Sequence, residues 1–422
     1  MKLLRFGICA LAVFAVAAHG SVEDWSRAVF ETGAALLLLA WSLWIYFTRQ
    51  EQIAFSAVLP PLAAFSLVVC GQWIFHGTAS SYSTRMELLL VLSDLILLFL
   101  AVQAFHTLQD WRGFVWFGMV FGFLVCIFGI LQHLTFNGKL YWFREMHYGG
   151  IPFGPYVNRN HFAGFVELIL PLALVPLVLG RVRRERWPVV GLFAVVPIGA
   201  LFLSVSRGGI VSFGVELAVL ALVMMRQRTA GKQLFAGAAV LLMALLLVSW
   251  LGVGQLLQRF SSFQSLEATA GKRASMRRDT WQIFLQHPLA GTGLGTLQIV
   301  FPPYESLYDG KIVNHTHNDY LEALAETGLL GGLCCAWFLG VLFSESLKRF
   351  RQDNNSFAGT LQLSGLVACV GFLVHSLVDF NLHIPSNAFL FFLMAHLATS
   401  EIHAVAPEPA QHRSRRRIPR NH

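Results

Sequence analysis

The chain has few charged residues for its length. Asp, Glu, Lys and Arg make up only 13% of its 422 residues, whereas a soluble globular protein carries about a quarter. Hydrophobic residues make up 55%, and the mean hydropathy is +0.59. Apolar runs of about 20 residues, long enough to cross roughly 30 Å of hydrocarbon, recur along the sequence. These features exclude an ordinary soluble protein and predict a polytopic membrane protein.

The apolar runs also lack the strict alternation of polar and apolar residues that marks a β-strand. Only helices and closed barrels satisfy their backbone groups inside a bilayer, and uninterrupted runs favour helices. The predicted fold class is therefore all-α, with about twelve transmembrane helices. The predicted spans are 4–20, 28–47, 52–72, 86–105, 113–134, 160–179, 187–205, 209–225, 233–252, 328–346, 359–377 and 386–403.

Paired cysteines are missing as well. The six cysteines show no CxxC spacing, so neither a zinc site nor a disulfide framework is predicted. They fall in or beside apolar runs, where cysteine behaves as a small hydrophobic residue. The sequence has no heptad pattern and no repeat at a fixed period, so neither a coiled coil nor a repeat architecture is predicted.

Positive charge is present in excess, with a net charge of +8. Most Lys and Arg residues fall in loops that twelve spans would place on one side, and cytoplasmic loops carry such an excess. Both termini are therefore predicted to be cytoplasmic. The charge indicates topology rather than a nucleic-acid surface. The main basic stretches are 181–186, 226–232, 348–351 and 413–420.

The N-terminal segment has two interpretations. It is either the first span or a signal peptide, since Ala15-Val16-Ala17 resembles a cleavage site. Either way, the residues that follow it lie outside the cytoplasm. At the other end of the chain, the proline-containing basic tail over 404–422 is predicted to be disordered and cytoplasmic.

Two segments between spans are too long to be simple connections. One covers 135–159 and the other covers about 253–327, and loops longer than about 15 residues are usually functional or disordered. The second contains helix-like pieces, so we expect it to fold. We therefore predict four regions. They are the N-terminal helices with the smaller loop (1–252), a large periplasmic catalytic loop (253–327), the C-terminal helices (328–403) and the tail (404–422).

Residues 314–319, NHTHND, place histidines and an acid directly before an apolar run. Asp319 and Glu322 have the spacing of a helix cap and its reciprocal partner, so a helix is predicted to start at Tyr320. His317 would then lie at the helix entrance, where the membrane meets water. Because imidazole can accept a proton at neutral pH, His317 is the candidate general base.

Two other interpretations of this stretch stay open. A loop histidine is more often a solvated or capping residue than a catalyst. His315 and His317 with a nearby carboxylate could also bind a divalent metal. The stretch lacks HExxH spacing, however, and the same loop has no second cluster of His or Cys. We predict no metal site and expect His315 to be a neighbour of the base.

The stretch resembles a known family, the bacterial O-antigen ligases and polymerases. His317, Asn318, Gly328 and Gly331 match its signature of His-Asn followed by Gly-x-x-Gly. Further segments are similar to the same family in the same order, and the resemblance covers about residues 150–340. These segments are NRNHFAGFVELILPLAL from residue 158, LSVSRGG at 203–209 and RRDTWQIFLQHPLAGTGLG at 277–295.

The resemblance implies a GT-C-like membrane fold and glycosyl transfer on the periplasmic side of the bacterial inner membrane. The donor would be a glycan on undecaprenyl pyrophosphate, and the acceptor would be lipid A core or another glycan. His317 would take the acceptor proton, while arginines, whose forked donors suit a diphosphate, would hold the leaving group. Neither a cofactor nor a metal ion is expected, which agrees with the absence of an Asp-x-Asp pair.

The resemblance and the residue chemistry together suggest individual roles. The arginines expected to bind the donor diphosphate are Arg159, Arg207, Arg277 and Arg278, although Arg207 could instead snorkel at a helix end. Of the asparagines that precede the helix near residue 160, Asn160 is predicted to be the cap. The supporting residues are Asn158, Asn160, His315, Asn318, Asp319, Glu322, Gly328 and Gly331.

The sequence also fits other functions. A flippase or transporter of lipid-linked glycan would suit the carboxylates within apolar runs, Asp94, Glu167 and Glu216. That function predicts paired halves and short loops, neither of which the sequence shows. Transfer to a protein hydroxyl has the same chemistry as transfer to a glycan, so the acceptor and the oligomeric state are not predicted.

Overall fold

The structure is a computed structural model that describes residues 1–49, 53–145, 151–226, 237–250, 263–308, 310–353 and 356–403. Within these ranges the regular elements are helices and isolated β-bridges, with no strand. The predicted all-α class is confirmed. The α-helices are α1 Lys2–Ala17, α2 Asp24–Thr48, α3 Leu59–Ile74, α4 Ser81–Ala104, α5 Leu108–Leu134, α6 Arg159–Ile169, α7 Pro171–Val178, α8 Trp187–Ser204, α9 Arg207–Arg226, α10 Gly237–Trp250, α11 Phe263–Gln286, α12 Leu297–Val300, α13 Asp319–Asp353, α14 Phe357–His375 and α15 Pro385–Thr399.

Seven described helices are long and apolar enough to cross a membrane, or eight if the bent pair α6 and α7 forms one span. The seven are α2, α4, α5, α8 with the turn before it, α9, α13 and α14. The chain is thus an integral membrane protein. The predicted spans 4–20 and 386–403 correspond to helices of 16 and 15 residues. Parts of spans 52–72 and 233–252 lie outside the described residues, and twelve crossings stay a prediction.

Two helix breaks shape the region around the site. α6 and α7 meet at a 40° bend. Pro171 is the first residue of α7, and it has no backbone N–H to continue the hydrogen bonding of α6. α13 is kinked at Gly328, whose φ is +61°. A Cβ at that position would lie 2.4 Å from the backbone of Leu289, so both the conformation and the space require glycine.

The Gly328 kink brings the two predicted loop motifs together. The backbone N–H groups of Thr292 and Gly293 donate to the carbonyls of Ala325 and Glu326, at 3.1 and 2.9 Å. Gly293 has φ +106°, and its carbonyl accepts from Thr296 N–H at 3.2 Å. Residues 293–296 therefore form a tight turn. It packs against the first turns of α13.

The large loop is folded where it is described. α11 includes the predicted helix-like piece, and α12 and a 3-10 helix at Pro302–Tyr304 follow it. A small core of its own joins α11 to α12 and α13 through buried Ile283, Leu297, Phe301 and Ala325. The described part of the loop therefore packs over the start of α13 rather than forming an extended connection.

The helix termini lie at two ends of the bundle, which we call the cleft end and the opposite end. The cleft end contains the residues that follow α1 and α5 and those that precede α13 and α15, because all of them line one cleft. The opposite end contains the start of α1 and the start of α5, joined by an ion pair between Arg5 and Asp110. Of the basic stretches that the structure describes, 181–186 follows α7 and 348–351 lies in the last turns of α13, whose first turn is at the cleft end.

Candidate active site

A cleft of about 1370 Å³ opens at the cleft end. It is larger than the roughly 300–1,000 Å³ typical of small-molecule pockets. Its described lining carries five Lys and Arg side chains against three carboxylates, and Lys272 and Arg273 of α11 and Lys311 line it together with His317. Five histidines line it in total. A cleft of this size and charge suits a large anionic ligand.

His317 occupies an unusual backbone conformation at the cleft. Its φ is +55°, in the left-handed region that non-glycine residues adopt rarely and often at functional sites. The side chain keeps 25% of its surface exposed. Its Nδ1 lies 3.2 Å from Oδ1 of Asp379. Since a carboxylate only accepts hydrogen bonds, Nδ1 carries the hydrogen and Nε2 is left as the basic nitrogen.

Asp379 is the buried partner of His317, with 1% of its side chain exposed. It lies in the loop between α14 and α15 and also accepts hydrogen bonds from Asn160 Nδ2 and from its neighbour's backbone N–H. Burial alone would raise the pKa of the Asp379 carboxyl, but the hydrogen bond from His317 and the nearby His161 outweigh burial and lower it. Asp379 is therefore an ionised carboxylate that orients the His317 ring.

A hydrogen-bonded chain extends this pair towards α9. Ser206 donates to Asn160 Oδ1 at 2.9 Å, and Asn160 in turn donates to Asp379. Ser206 also accepts from the N–H of Gly209 at 3.2 Å and so caps the first turn of α9, which begins at Arg207. The start of α9 is thereby held close to the His317–Asp379 pair.

His315 belongs to a separate group, although only one residue lies between the two histidines. His315 Nδ1 donates to Glu322 Oε1 at 2.6 Å. His383, from the loop before α15, lies 3.3 Å from the same oxygen through Nε2. Its Nδ1 donates to Asp319 Oδ1 at 2.9 Å. These four side chains satisfy one another as an interlocked set of ion pairs.

Charge within this group changes the protonation of His383. Burial alone would lower the pKa of His383, but the Glu322 charge and the hydrogen bond to Asp319 raise it to about 10. His383 is therefore a cation at neutral pH. The ligand atoms of His315, Glu322 and His383 lie within 4.8 Å of one another and could hold a metal ion, but in the structure they are used in mutual hydrogen bonds.

The predicted capping arrangement at α13 is wrong. Asn318, not Asp319, caps the helix, since its Oδ1 accepts from Leu321 N–H at 2.9 Å. The helix starts at Asp319. Glu322 does not bond back to the helix start because its oxygens accept from His315 and from the N–H of Thr316. Groups that precede α13 in the chain therefore bind the Glu322 carboxylate in place of the predicted partner at the start of the helix.

The predicted cap of α6 is also wrong. Asn158 is the capping residue, with Oδ1 accepting from Asn160 N–H at 2.9 Å. The Asn160 side chain instead joins the Asp379 network. Of the two supporting asparagines, Asn158 therefore has the local role and Asn160 reaches the site.

The four arginines predicted to bind the donor diphosphate lie outside the cleft lining. Among the described residues that line the cleft, none is Arg159, Arg207, Arg277 or Arg278. Arg207 begins α9, next to the Ser206 network. Exposed Arg278 donates to Ser306 at 3.4 Å. Arg277 lies one helical turn beyond Arg273, the residue that does line the cleft.

Sequence reasoning missed several residues that complete the site. Asp379 and His383 come from the short segment VDFNLH, which lies between two apolar runs. Arg273 donates to the carbonyl of Val378 at 3.0 Å, beside Asp379. An aspartate and a histidine at the edge of a predicted span were the available signal. The sequence gives no indication that they contact His317 and Asp319, about 60 positions earlier.

Comparison with known proteins agrees with the motifs. Residues 192–336 match the family model described as O-Antigen ligase. No curated protein matches the chain. The matched residues include His317, the start of α13 and the basic part of α11, but they end before Asp379. The chain is therefore a membrane protein with an O-antigen ligase domain, which implies a glycan-transferring enzyme.

Proposed function

We propose that the protein transfers a glycan from undecaprenyl pyrophosphate to an acceptor hydroxyl, as an O-antigen ligase or polysaccharide polymerase. The observation that supports this most is the position of His317. It lines a large basic cleft, and its Nδ1 is held by the buried carboxylate of Asp379. This is the arrangement of a general base whose proton-accepting nitrogen is Nε2.

The base acts on the acceptor. Nε2 of His317 takes the proton of the acceptor hydroxyl while the acceptor oxygen attacks the anomeric carbon of the donor sugar. Asp379 stabilises the imidazolium that forms. General base catalysis of this kind contributes about 10²–10⁴-fold to a rate.

Cations act on the leaving group. The bond between the anomeric carbon and the phosphate oxygen breaks, and its electron pair stays on the diphosphate. Arg273, with Lys272 and Lys311 from the same cleft, stabilises that charge. Arg207 joins them from the start of α9. Attack from the side opposite the diphosphate inverts the anomeric carbon, and no metal ion is required because the cations hold the charge.

The remaining predicted arginines have a secondary place in this proposal. Arg277 and Arg278 continue α11 beyond the cleft, and Arg159 begins α6 next to the cleft residue Asn158. We assign these three arginines to contacts with the part of the donor that lies outside the cleft. Single variants of each, compared with a variant of Arg273, test this assignment. Arginines therefore still hold the diphosphate, and Arg273 is added to them because it donates to the carbonyl of Val378, beside Asp379.

We also propose that the cleft end faces the periplasm. The described basic stretches at 181–186 and 348–351 follow α7 and end α13, and cytoplasmic loops carry such an excess of Lys and Arg. The protein would then be a multi-pass protein of the bacterial inner membrane. The lipid carrier would stay in the bilayer while its diphosphate enters the cleft at the surface.

The test is transfer by the purified protein in liposomes that contain isolated undecaprenyl-pyrophosphate-linked glycan and an acceptor. The wild type should form product, and His317→Ala should not. Equal turnover by both proteins would remove His317 as the base. Donor that crosses the bilayer without transfer would instead establish the flippase.

The same reaction distinguishes the acceptors. A product of many lengths indicates a polymerase, and a single capped lipid A core indicates a ligase. Glycan attached to an added protein substrate indicates protein glycosylation. Lipid A core and unmodified repeat units are therefore supplied separately and together, and the products are separated by size.

A further inference from the structure

An exposed indole ring in the cleft has no role in the proposed reaction. Trp25, at the start of α2, keeps 52% of its surface exposed and lines the same cleft as His317. The cleft residues beside it in the chain include the charged Glu23, Asp24 and Arg27. Isolated exposed apolar residues are common on protein surfaces. A large aromatic face that opens into a charged recess is not, and it suggests a ligand with both apolar and polar faces.

Contacts on both sides hold the Trp25 ring in place. Its Nε1–H donates to Glu23 Oε2 at 2.8 Å. The Phe14 ring packs edge-on against it, with ring centroids 6.1 Å apart at 84°. Arg144, from the loop after α5, pairs with the same carboxylate of Glu23 and lies 2.6 Å from His19. The ring is thus oriented before any ligand arrives, which reduces the entropic cost of binding.

The carboxylate beside the ring is charged. Burial alone would raise the pKa of Glu23, but the hydrogen bonds from Trp25 and Arg144 outweigh burial and lower it. Each carboxylate oxygen has more than one acceptor site, so Glu23 can still accept from a ligand. Exposed Asp24 offers a second carboxylate one residue further on.

We propose that Trp25, Glu23 and Asp24 form a saccharide subsite. The ring of a pyranose has one face made of C–H groups, which fits the face of an indole, and a rim of hydroxyls, which carboxylates accept from. The subsite binds a sugar unit of a glycan whose reacting end is at His317. This inference rests on the proposed function, because it assigns part of the same cleft to the substrate.

The size and charge of the cleft support this assignment. Its volume of about 1370 Å³ exceeds the roughly 300–1,000 Å³ that one small ligand needs, so a diphosphate and several sugar units fit together. Lys272 and Arg273 attract a diphosphate, whereas the charge of Glu23 beside Trp25 is balanced by Arg144, which leaves the Trp25 region better suited to an uncharged sugar. The sugar comes from the donor glycan or from the acceptor glycan.

Tryptophan also anchors proteins at membrane surfaces, and a second residue serves as the control for that role. Trp142, in the loop after α5, is 40% exposed, and its Nε1–H donates to Thr135 Oγ1 at 2.8 Å. It is not among the described residues that line the cleft. A loss common to both tryptophans would therefore reflect anchoring, and a loss confined to Trp25 would reflect the cleft.

The test compares Trp25→Ala, Trp25→Phe and Trp142→Ala in the transfer reaction, with KM measured separately for donor and acceptor. Trp25→Ala should raise one KM by about three- to tenfold, the range for one aromatic contact, and leave kcat unchanged. Trp25→Phe should retain most of the affinity, and Trp142→Ala should match the wild type. The substrate whose KM rises identifies the source of the sugar. Unchanged KM values for both substrates in Trp25→Ala, or equal changes in Trp142→Ala, overturn the subsite.

A binding measurement separates this inference from the proposed function. Mild acid releases the glycan from its lipid diphosphate, and saturation-transfer NMR detects contact between the released glycan and the protein in detergent. Signals with the wild type that are lost in Trp25→Ala and kept in Trp142→Ala support the subsite even if no transfer is found. Equal signals in the wild type and Trp25→Ala overturn it even if transfer occurs.

Discussion

His317 and His315 are separated by one residue, yet they belong to groups with different properties. His317 has a single carboxylate partner, Asp379, and its second nitrogen is left for a substrate. His315 shares Glu322 with His383, which is paired in turn with Asp319. In the first group a basic nitrogen faces the cleft, whereas the second is closed by its own ion pairs.

The difference shows that distant loops decide what each histidine can do. Both groups receive their key partner from the same short loop before α15, since Asp379 and His383 lie four residues apart. One partner is a carboxylate, which orients the ring of its histidine. The other is a cation, which holds carboxylates together. We therefore infer a catalytic role for His317 and a structural role for His315.

The largest expected effect follows from replacing each histidine by glutamine. His317→Gln should lower kcat by about 10²–10⁴-fold, the usual contribution of a general base. His315→Gln should fold less stably but keep most of its kcat, because the Nδ1 of His315 is used in its hydrogen bond to Glu322. Transfer rates and thermal unfolding in detergent measure the two effects. Equal losses of kcat in both variants would remove the distinction between the groups.

Asp379→Asn tests the orienting carboxylate. An amide offers Nδ1 of His317 a donor as well as an acceptor, so the wrong tautomer becomes accessible, and kcat should fall by about 10²-fold or more. The KM for the donor should change little, since Asp379 is buried and does not contact the cleft. Asp379→Glu is the matched control for charge. A loss confined to KM would contradict an orienting role.

The cations beside His317 provide the next test. Arg273→Ala removes a guanidinium that lines the cleft and should reduce kcat/KM by about 10- to 100-fold, the range for a charge-assisted hydrogen bond. Arg278→Ala, on the same helix but outside the cleft, should have a much smaller effect. A larger loss in Arg278→Ala would restore the arginine predicted from the sequence and move the diphosphate away from Arg273.

Local features of the site could be predicted from the sequence, whereas its long-range partners could not. The position of His317 before α13 was predictable because it depends only on the adjacent chain, and Gly328 belongs to the motif that the sequence shares with the family. The capping predictions for Asp319 and Asn160 were wrong, because side chains from other loops offered better partners than the helix did. Tertiary contacts of this kind override local preference.

The arginine predictions illustrate a second limit. The segment from 272 to 278 contains four cations on one helix, and the sequence does not say which side of that helix faces a cleft built by other elements. The all-α class, in contrast, followed from composition, because backbone groups in a bilayer require helices or closed barrels. The number of crossings was harder, since several apolar runs form helices shorter than a span.

His383 predicts a pH dependence of stability. Its pKa in the folded protein is raised to about 10 from about 6.5 in an unfolded chain. The stabilisation is complete below about pH 6.5 and is lost as the pH rises through about 10. The difference in unfolding temperature between the wild type and His383→Gln should therefore shrink over that window. A difference that grows with pH would contradict the ion pairs around His383.

The smallest expected effect is that of metal removal. It tests whether His315, Glu322 and His383 are held by their mutual hydrogen bonds or by a metal ion. Its ligand atoms lie close enough to hold an ion, but Glu322 already accepts from His315 and Thr316. Dialysis against EDTA should leave the transfer rate unchanged, because the cleft cations already balance the diphosphate charge. If EDTA abolished transfer and zinc restored it in the wild type but not in His383→Gln, the group would be a metal site and the two histidines would share one catalytic centre.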